Sequence, residues 1–154
     1  MILVTGATGR LGNQIVRSLR SGGLEVRCLV RKGSEYFWLN DTGASYFFGD
    51  LRDPQSLSRA LRDIRYLIVA SGIRVESTDN HHDNVTRDGH IALFEAAKTR
   101  GVQHVVFVSC MGATQKGRAM ESLKAAEDHL IASGLTWTIF RPGLFAANFA
   151  DLLR

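Results

Sequence analysis

The stretch Thr5-Gly6-Ala7-Thr8-Gly9-Arg10-Leu11-Gly12 decides the fold of this chain. It follows a short apolar run, residues 2–5, and it opens a segment whose apolar residues recur at helical spacing. Gly6 permits a tight turn, Gly9 lets the backbone approach a ligand closely, and Gly12 lets the helix pack against the strand. Exposed amide groups at a helix N-terminus, together with the helix dipole, favour an anion. The stretch therefore predicts a strand–loop–helix unit that seats the pyrophosphate of a dinucleotide.

Six short apolar segments are predicted strands, and they alternate with helical patterns. They are rich in Val, Ile, Leu and Phe, and most lack strict alternation, which is typical of a parallel sheet covered on both faces. Alternating strands and helices predict right-handed crossovers and a doubly wound sheet. We therefore predict one Rossmann-type α/β domain over residues 1–154, with strand order 3-2-1-4-5-6. The predicted strands are residues 2–5, 25–30, 45–48, 66–71, 104–109 and 136–141.

The helices between the strands carry their own start and stop signals. Asp53-Pro54 places an N-cap residue before a proline at the first helical position. Gly101 and Gly134 follow two later segments of helical periodicity and predict their ends. The stretch 32–43 is predicted to hold only a short helix.

Composition argues against several classes of protein. The chain has 154 residues and a formal net charge of +4, and its positive residues are scattered, so no nucleic-acid surface is expected. No run is long enough and apolar enough to span a bilayer. We expect no signal peptide, because the first strand pattern follows Met1 directly. Two cysteines, Cys28 and Cys110, fit a reducing compartment, so a cytoplasmic location or another reducing soluble compartment is expected.

Arg31 lies where the second predicted strand ends. NAD-specific Rossmann domains usually carry a carboxylate there, which binds the ribose 2′-hydroxyl. A guanidinium at this position would pair with a 2′-phosphate, and Arg10 could assist from the glycine-rich stretch. The alternative is that Arg31 is a solvated residue at a strand end. The residue favours NADP(H) over NAD(H) as the cofactor.

The glycine spacing G-x-x-G-x-x-G resembles that of the atypical short-chain dehydrogenase/reductase superfamily, and of NmrA-like NAD(P)-binding proteins in particular. The resemblance extends over essentially the whole chain. The motifs that carry it are highly specific for the superfamily, but they are much less specific for the substrate. Further landmarks are Cys28-Leu29-Val30-Arg31, Gly49-Asp50-Leu51-Arg52-Asp53, Val106-Phe107-Val108-Ser109, Ser133-Gly134-Leu135-Thr136-Trp137-Thr138 and Arg141-Pro142-Gly143.

The resemblance implies roles for residues that follow later strands. Asp50 and Leu51 should flank the adenine, with the Asp50 carboxylate reaching the exocyclic amine; Asp50 could equally cap the turn after the third strand, and both roles are compatible. Ala70-Ser71-Gly72 should pass beside the ribose and the pyrophosphate. The predicted cofactor-binding residues are Gly6, Thr8, Gly9, Arg10, Leu11, Gly12, Arg31, Asp50, Leu51, Ala70, Ser71, Gly72, Lys124, Pro142 and Gly143.

The catalytic pattern of the superfamily is only partly present. Typical short-chain reductases use Ser, Tyr and Lys, with the Tyr four residues before the Lys, whose charge lowers the pKa of the Tyr. Ser109 and Lys124 match the serine and the lysine, but Met120 occupies the tyrosine position, and a thioether cannot transfer a proton. Ser109 and Lys124 are therefore the candidate catalytic residues. Ser109 is expected to line the cofactor pocket rather than act as a nucleophile, and Lys124 either holds the nicotinamide ribose or is a solvated helix lysine.

A polar loop, residues 74–83, contains His81-His82 together with Asp79 and Asp83. Adjacent histidines on a loop rarely chelate one ion together, so no metal site is expected. We expect the loop to rim the substrate mouth or a partner surface.

The resemblance also predicts a region that would follow the last strand. Relatives usually continue past Arg141-Pro142-Gly143 into a substrate-binding lobe, whereas this sequence ends at Arg154. We expect that lobe to be largely missing, either because the chain is a truncated form or because another chain covers the crevice. Residues 145–153 resemble a short helix with an apolar face, which would favour oligomers.

The sequence is compatible with two functions. One is an NADPH-dependent reductase of a small carbonyl, quinone, flavin or enone, which the glycine-rich stretch, Ser109 and Lys124 favour. The other is a non-catalytic NADP(H)-binding redox sensor or assembly factor, which Met120 favours. The expected partners are the dinucleotide and either a small-molecule substrate or another protein.

Overall fold

The structure is a computed structural model that describes residues 1–73 and 76–143. Within these ranges six strands form one parallel sheet in the order 3-2-1-4-5-6, which confirms the predicted topology. Four strands are one or two residues shorter than predicted, and none is missing. The strands are β1 (Ile2–Thr5), β2 (Val26–Val30), β3 (Ser45–Phe48), β4 (Tyr66–Val69), β5 (His104–Val108) and β6 (Trp137–Phe140).

Helices connect the strands, and the second α-helix begins at its predicted signal. Asp53 caps the second α-helix, because its carboxylate accepts a hydrogen bond of 3.0 Å from the Gln55 amide. The stretch 32–43 holds a short 3-10 helix, Phe37–Thr42. A π-helical segment, His82–Arg87, was not predicted and leads directly into the third α-helix. The α-helices of the described ranges are α1 (Arg10–Ser21), α2 (Pro54–Ala60), α3 (Asp88–Thr99) and α4 (Arg118–Ala132).

Two apolar layers pack on opposite faces of the sheet. The alternation along β1 sends Leu3 into one layer and Val4 into the other. The Leu3 layer packs against α2, α3 and α4, and the Val4 layer packs against α1 and the 3-10 helix. Coverage of the second face is uneven, because Ile68 and Val106, in β4 and β5, are only half-buried among the described residues.

The position of the crevice follows from the strand order. β1 pairs with β2 on one side and with β4 on the other, so the order reverses beside β1. In open parallel sheets a crevice forms outside the carboxyl ends of the strands at such a point. The glycine-rich stretch, which leaves β1 at Thr5, therefore lies at the mouth of this crevice.

No helix in the two described ranges is both long and apolar enough to cross a membrane. The predicted apolar helix over residues 145–153 lies outside the described residues.

Candidate cofactor site

Two of the three glycines in the glycine-rich stretch are required by packing. Gly6 has a φ of +70°, and a Cβ atom there would lie 2.5 Å from the carbonyl oxygen of Ala70. A Cβ atom at Gly12 would lie 2.1 Å from the Gly6 carbonyl oxygen. At Gly9 the nearest atom, again the Gly6 carbonyl oxygen, would be 3.3 Å away. The turn at Gly6 is confirmed. Gly12 is closely packed, but against the backbone of Gly6 and Ala7 after the strand and not against the strand itself, and the approach of a ligand to Gly9 stays a prediction.

A cleft of about 250 Å³ opens over the ends of the first four strands. Part of the glycine-rich stretch, here called the glycine bend (residues 6–9), faces this cleft. The amides in the first turn of α1, which follows the bend, have no carbonyl of their own helix to bind. Nine predicted residues line it: Gly6, Thr8, Gly9, Arg31, Asp50, Leu51, Ala70, Ser71 and Gly72. The other predicted residues are not among those lining it: Arg10, Leu11, Gly12, Ser109, Lys124, Pro142 and Gly143.

Seven further residues line the cleft that sequence reasoning did not name. Three of them, Thr5, Leu29 and Gly49, lie at the ends of β1, β2 and β3, so a wider use of the strand-end rule would have found them. Asn80 comes from the polar loop, residues 74–83, and it lies at the Arg31 end of the cleft. No local pattern indicates that placement. The remaining three are Ser34, Ile73 and Val85.

Arg31 reaches across the cleft to this loop. Its Nη1 donates a hydrogen bond of 2.9 Å to Asn80 Oδ1. The partner is a neutral amide, so this hydrogen bond does not neutralise the guanidinium. The pKa of the nearby Asp50 carboxyl is lowered by Arg52, which binds both of its oxygens, and to a smaller extent by the Arg31 charge. A cation at the end of β2 is what the sequence predicted for binding of a 2′-phosphate.

Asp50 and Arg52 form a bidentate ion pair at the turn after β3. Arg52 Nε donates to Asp50 Oδ1 at 2.9 Å, and Arg52 Nη2 donates to Asp50 Oδ2 at 2.6 Å. Asp50 Oδ1 also accepts a hydrogen bond of 2.9 Å from the Arg52 amide. The Arg52 side chain holds the pKa of the Asp50 carboxyl below its ordinary value. The capping role of Asp50 is thus observed, and its contact with adenine stays a prediction.

A partly buried chain of hydrogen bonds supports the cleft wall at Ser71. The Ser71 hydroxyl lies 2.8 Å from Thr5 Oγ1 and 3.0 Å from His90 Nε2. His90 is fully buried, and burial lowers its pKa to about 4, so the imidazole is neutral at physiological pH. Its ring packs edge-on against Phe107 at 5.1 Å. Sequence reasoning did not single out His90, because its role depends on contacts with β1, β4 and β5.

Comparison with protein families shows the family to which this cleft and its chain belong. A family model described as NAD(P)H-binding matches residues 6–150. The chain belongs to this NAD(P)H-binding family. The resemblance to the atypical short-chain dehydrogenase/reductase superfamily is thereby confirmed.

Several proteins are similar to this NAD(P)H-binding chain. The photosystem II assembly factor Ycf39 of Cyanophora paradoxa is 39% identical over 142 residues, which are 91% of this chain and 44% of that protein. The NAD(P)H azoreductase of Xenophilus azovorans is 33% identical over 153 residues, which are 96% of this chain and 49% of that protein. An NADPH-dependent quinone oxidoreductase from Escherichia coli, solved with NADPH, superposes with a TM-score of 0.79 at 26% identity. The match covers 98% of this chain and 52% of that one. The chain spans about half the length of these relatives.

The residues that match the catalytic pattern of the superfamily lie around α4. The Lys124 ammonium pairs with Asp128 one helical turn away. Met120, at the tyrosine position, accepts a weak hydrogen bond of 3.4 Å from the Cys110 thiol, and burial raises the pKa of that thiol. The sulfur atoms of Met120 and Cys110 therefore lie in contact at the position where typical reductases of this superfamily have the proton-donating tyrosine.

Ser109 is buried beside a charged pair. Glu127 is fully buried and Arg141 binds it through two nitrogens, with Nε 2.9 Å from Oε1. Burial alone would raise the pKa of Glu127, but Arg141 and the nearby Ser109 hydroxyl bring it below its ordinary value. Ser109 Oγ itself makes no well-formed hydrogen bond to the described residues. The catalytic roles of Ser109 and Lys124 stay predictions.

The two adjacent histidines form hydrogen bonds with the loop and with the π-helical segment that follows it. His81 Nε2 lies 2.7 Å from the Thr78 carbonyl oxygen, and His82 Nδ1 lies 3.4 Å from Thr86 Oγ1. No group of three or more His, Cys, Asp or Glu side chains suited to a metal occurs in residues 1–73 and 76–143.

Proposed function

We propose that this chain is the cofactor-binding half of an NADPH-dependent reductase that acts on a small carbonyl, quinone, flavin or enone. The observation that carries the proposal is the position of Arg31, whose side chain lines the same cleft as Gly6 and Gly9. One cleft thus offers backbone groups for a pyrophosphate and a guanidinium for a 2′-phosphate. The NADPH-dependent relative of similar fold supports this interpretation.

The charges around Arg31 favour NADP(H) over NAD(H). The second arginine of this region, Arg52, is already neutralised by Asp50. Arg31 Nη1 binds a neutral amide. The nearby Asp50 carboxylate, which the Arg31 charge also influences, is bound by Arg52, so the Arg31 guanidinium can still pair with a phosphate. NAD(H) offers only a ribose hydroxyl at this point, which cannot form an ion pair with the guanidinium.

The test of this assignment is a calorimetric titration with NADPH and with NADH. Because a hydrogen bond to a charged group contributes about 1.5–3 kcal/mol, we expect Arg31→Ala to weaken NADPH binding roughly 10- to 100-fold. NADH binding should change much less. Arg62→Ala is the matched control, since Arg62 is exposed and precedes β4 at the opposite edge of the sheet. An unchanged NADPH-to-NADH affinity ratio in Arg31→Ala would show that the cofactor assignment is wrong.

Reductase activity requires a source of the proton as well as the hydride. The bound nicotinamide supplies the hydride, and water or the substrate must supply the proton because Met120 cannot. We expect NADPH oxidation with a quinone or flavin to be lost in Lys124→Ala and retained in Met120→Ala. That pair of results would identify a tyrosine-independent reductase in which Lys124 holds the cofactor.

The second candidate is a non-catalytic NADP(H)-binding sensor or assembly factor. Met120 favours it, because its thioether is in contact with Cys110 and the site has no tyrosine at this position. The similarity to the assembly factor Ycf39 also supports it. Tight binding of NADPH without turnover in the oxidation screen would favour this function over the reductase.

A further inference from the structure

We propose that Asn80 is a positioning residue that sets the preference for NADP(H) by holding the Arg31 guanidinium in place. The inference rests on the proposed function and adds a specificity determinant from a different part of the chain. The polar segment Ser77–Asn80, here called the strap, carries this residue to the Arg31 end of the cleft.

The strap is a closed unit with a defined shape. The Ser77 amide donates to the Asn80 carbonyl at 3.0 Å, and the Asn80 amide donates to the Ser77 carbonyl at 3.2 Å. The side chain of Asn80 is fixed as well, because its Nδ2 donates to Ser77 Oγ at 3.1 Å. This bond leaves Oδ1 as the atom that faces Arg31. The reverse orientation would place two donors against each other.

A second arginine ties the strap to the turn after β3. Arg52 Nη1 donates a hydrogen bond of 2.8 Å to the Asp79 carbonyl, while the same guanidinium binds Asp50. Asn84 Nδ2 donates a second bond of 3.0 Å to that carbonyl. The residue next to Asn80 is therefore held from two sides, so the position of Asn80 is defined by the fold and not by Arg31 alone.

The chemistry of an amide suits this task better than that of a carboxylate. Asn80 accepts one hydrogen bond from Nη1, and a guanidinium has five donors, so others remain for a phosphate. Because the amide is neutral, it orients Arg31 without cancelling its charge. A carboxylate at residue 80 would form an ion pair with Arg31 and would also repel the 2′-phosphate.

The experiment compares Asn80→Asp, Asn80→Ala and Arg31→Ala by titration with NADPH and NADH. We expect Asn80→Asp to lower the NADPH-to-NADH affinity ratio at least tenfold, and Asn80→Ala to lower it several-fold. In the Arg31→Ala background the Asn80→Ala change should have no further effect on the ratio, because Asn80 acts through Arg31. Asn40→Asp is the matched control for the added charge, since Asn40 is exposed on the 3-10 helix and does not line the cleft.

The affinity ratio separates positioning from a purely structural role of the strap. If both Asn80 variants weaken NADPH and NADH equally, or leave both affinities unchanged, while Arg31→Ala lowers the ratio, this inference is wrong and the proposed function stands. If Arg31→Ala leaves the ratio unchanged, the proposed function fails and the role of Asn80 fails with it. Circular dichroism of each variant establishes that the titrated protein is folded.

Discussion

Gly12 shows how closely a single residue can couple the glycine bend to the first helix. Only 2.1 Å separates the Gly6 carbonyl oxygen from the place where a Cβ atom at residue 12 would stand. An alanine there would force α1 away from the bend. The backbone at Gly6, Thr8 and Gly9, which lines the cleft, would shift as well.

We therefore expect Gly12→Ala to lower the free energy of unfolding by about 1–3 kcal/mol, the usual cost of overpacking. NADPH affinity should fall as well. Urea denaturation and an NADPH titration measure the two effects. Gly22→Ala at the other end of α1 is the control, because a Cβ atom there would meet the Leu19 carbonyl oxygen at an ordinary 3.4 Å. Equal behaviour of the two variants would contradict the packing argument.

His90 predicts a pH dependence of stability. Its pKa is about 4 in the folded chain and 6.5 ordinarily, so the unfolded chain takes up this proton first as the pH falls. The contribution of neutral His90 to the free energy of unfolding is therefore complete above about pH 6.5. It is lost as the pH falls toward 4, and the total loss is about 3 kcal/mol. His90→Gln keeps a hydrogen-bonding side chain but does not titrate.

The measurement for His90 is urea unfolding of both proteins between pH 7 and pH 4. The unfolding free energy of the natural chain should fall relative to that of His90→Gln over this window. A difference between the two proteins that does not vary with pH would show that His90 does not titrate as its burial requires.

Among the elements, the strands and α-helices were predictable because each carries a local pattern. Glycine stops, the Asp53-Pro54 start and apolar periodicity depend on neighbours in sequence. The π-helical segment His82–Arg87 has no such pattern. It packs against α4 through Asp83, which accepts hydrogen bonds from Arg118 Nη2 at 2.7 Å and Ser122 Oγ at 3.1 Å. Its geometry is therefore a property of the packed elements.

A partly buried ion pair links α4 to the end of β6. Glu127 is fully buried and its two oxygens bind Arg141. Removing the arginine leaves a buried carboxylate without its counter-ion. We expect Arg141→Leu to lower the unfolding free energy, and the addition of Glu127→Gln to recover part of that loss. Urea denaturation of the two single variants and the double variant measures the coupling. A double variant that is less stable than Arg141→Leu would contradict the argument.

For the whole molecule, binding of the cofactor to the folded state should raise thermal stability. At a ligand concentration of 100 Kd the stabilisation is about 2.7 kcal/mol, which corresponds to roughly 5–10 °C in Tm for a chain of this size. We expect NADPH to produce a larger shift than NADH at equal concentration. Differential scanning fluorimetry measures both shifts, and Arg31→Ala should make them similar. A larger shift with NADH would contradict the preference for NADP(H).

The sequence by itself determined the sheet order, the place of the crevice and four of the residues that line it: Gly6, Thr8, Gly9 and Arg31. The glycine spacing after β1 and the cation after β2 are short-range patterns, whereas Asp50, Leu51 and residues 70–72 were expected from the resemblance to the superfamily. Only the tertiary structure decided that Asn80 meets Arg31, that His90 supports Ser71 and that Met120 meets Cys110. Arg31 and Asn80 are 49 positions apart, and their contact exists only after the sheet has assembled and the strap has folded back over it. Contacts of that kind depend on the packing of whole elements, for which a local pattern contains no information.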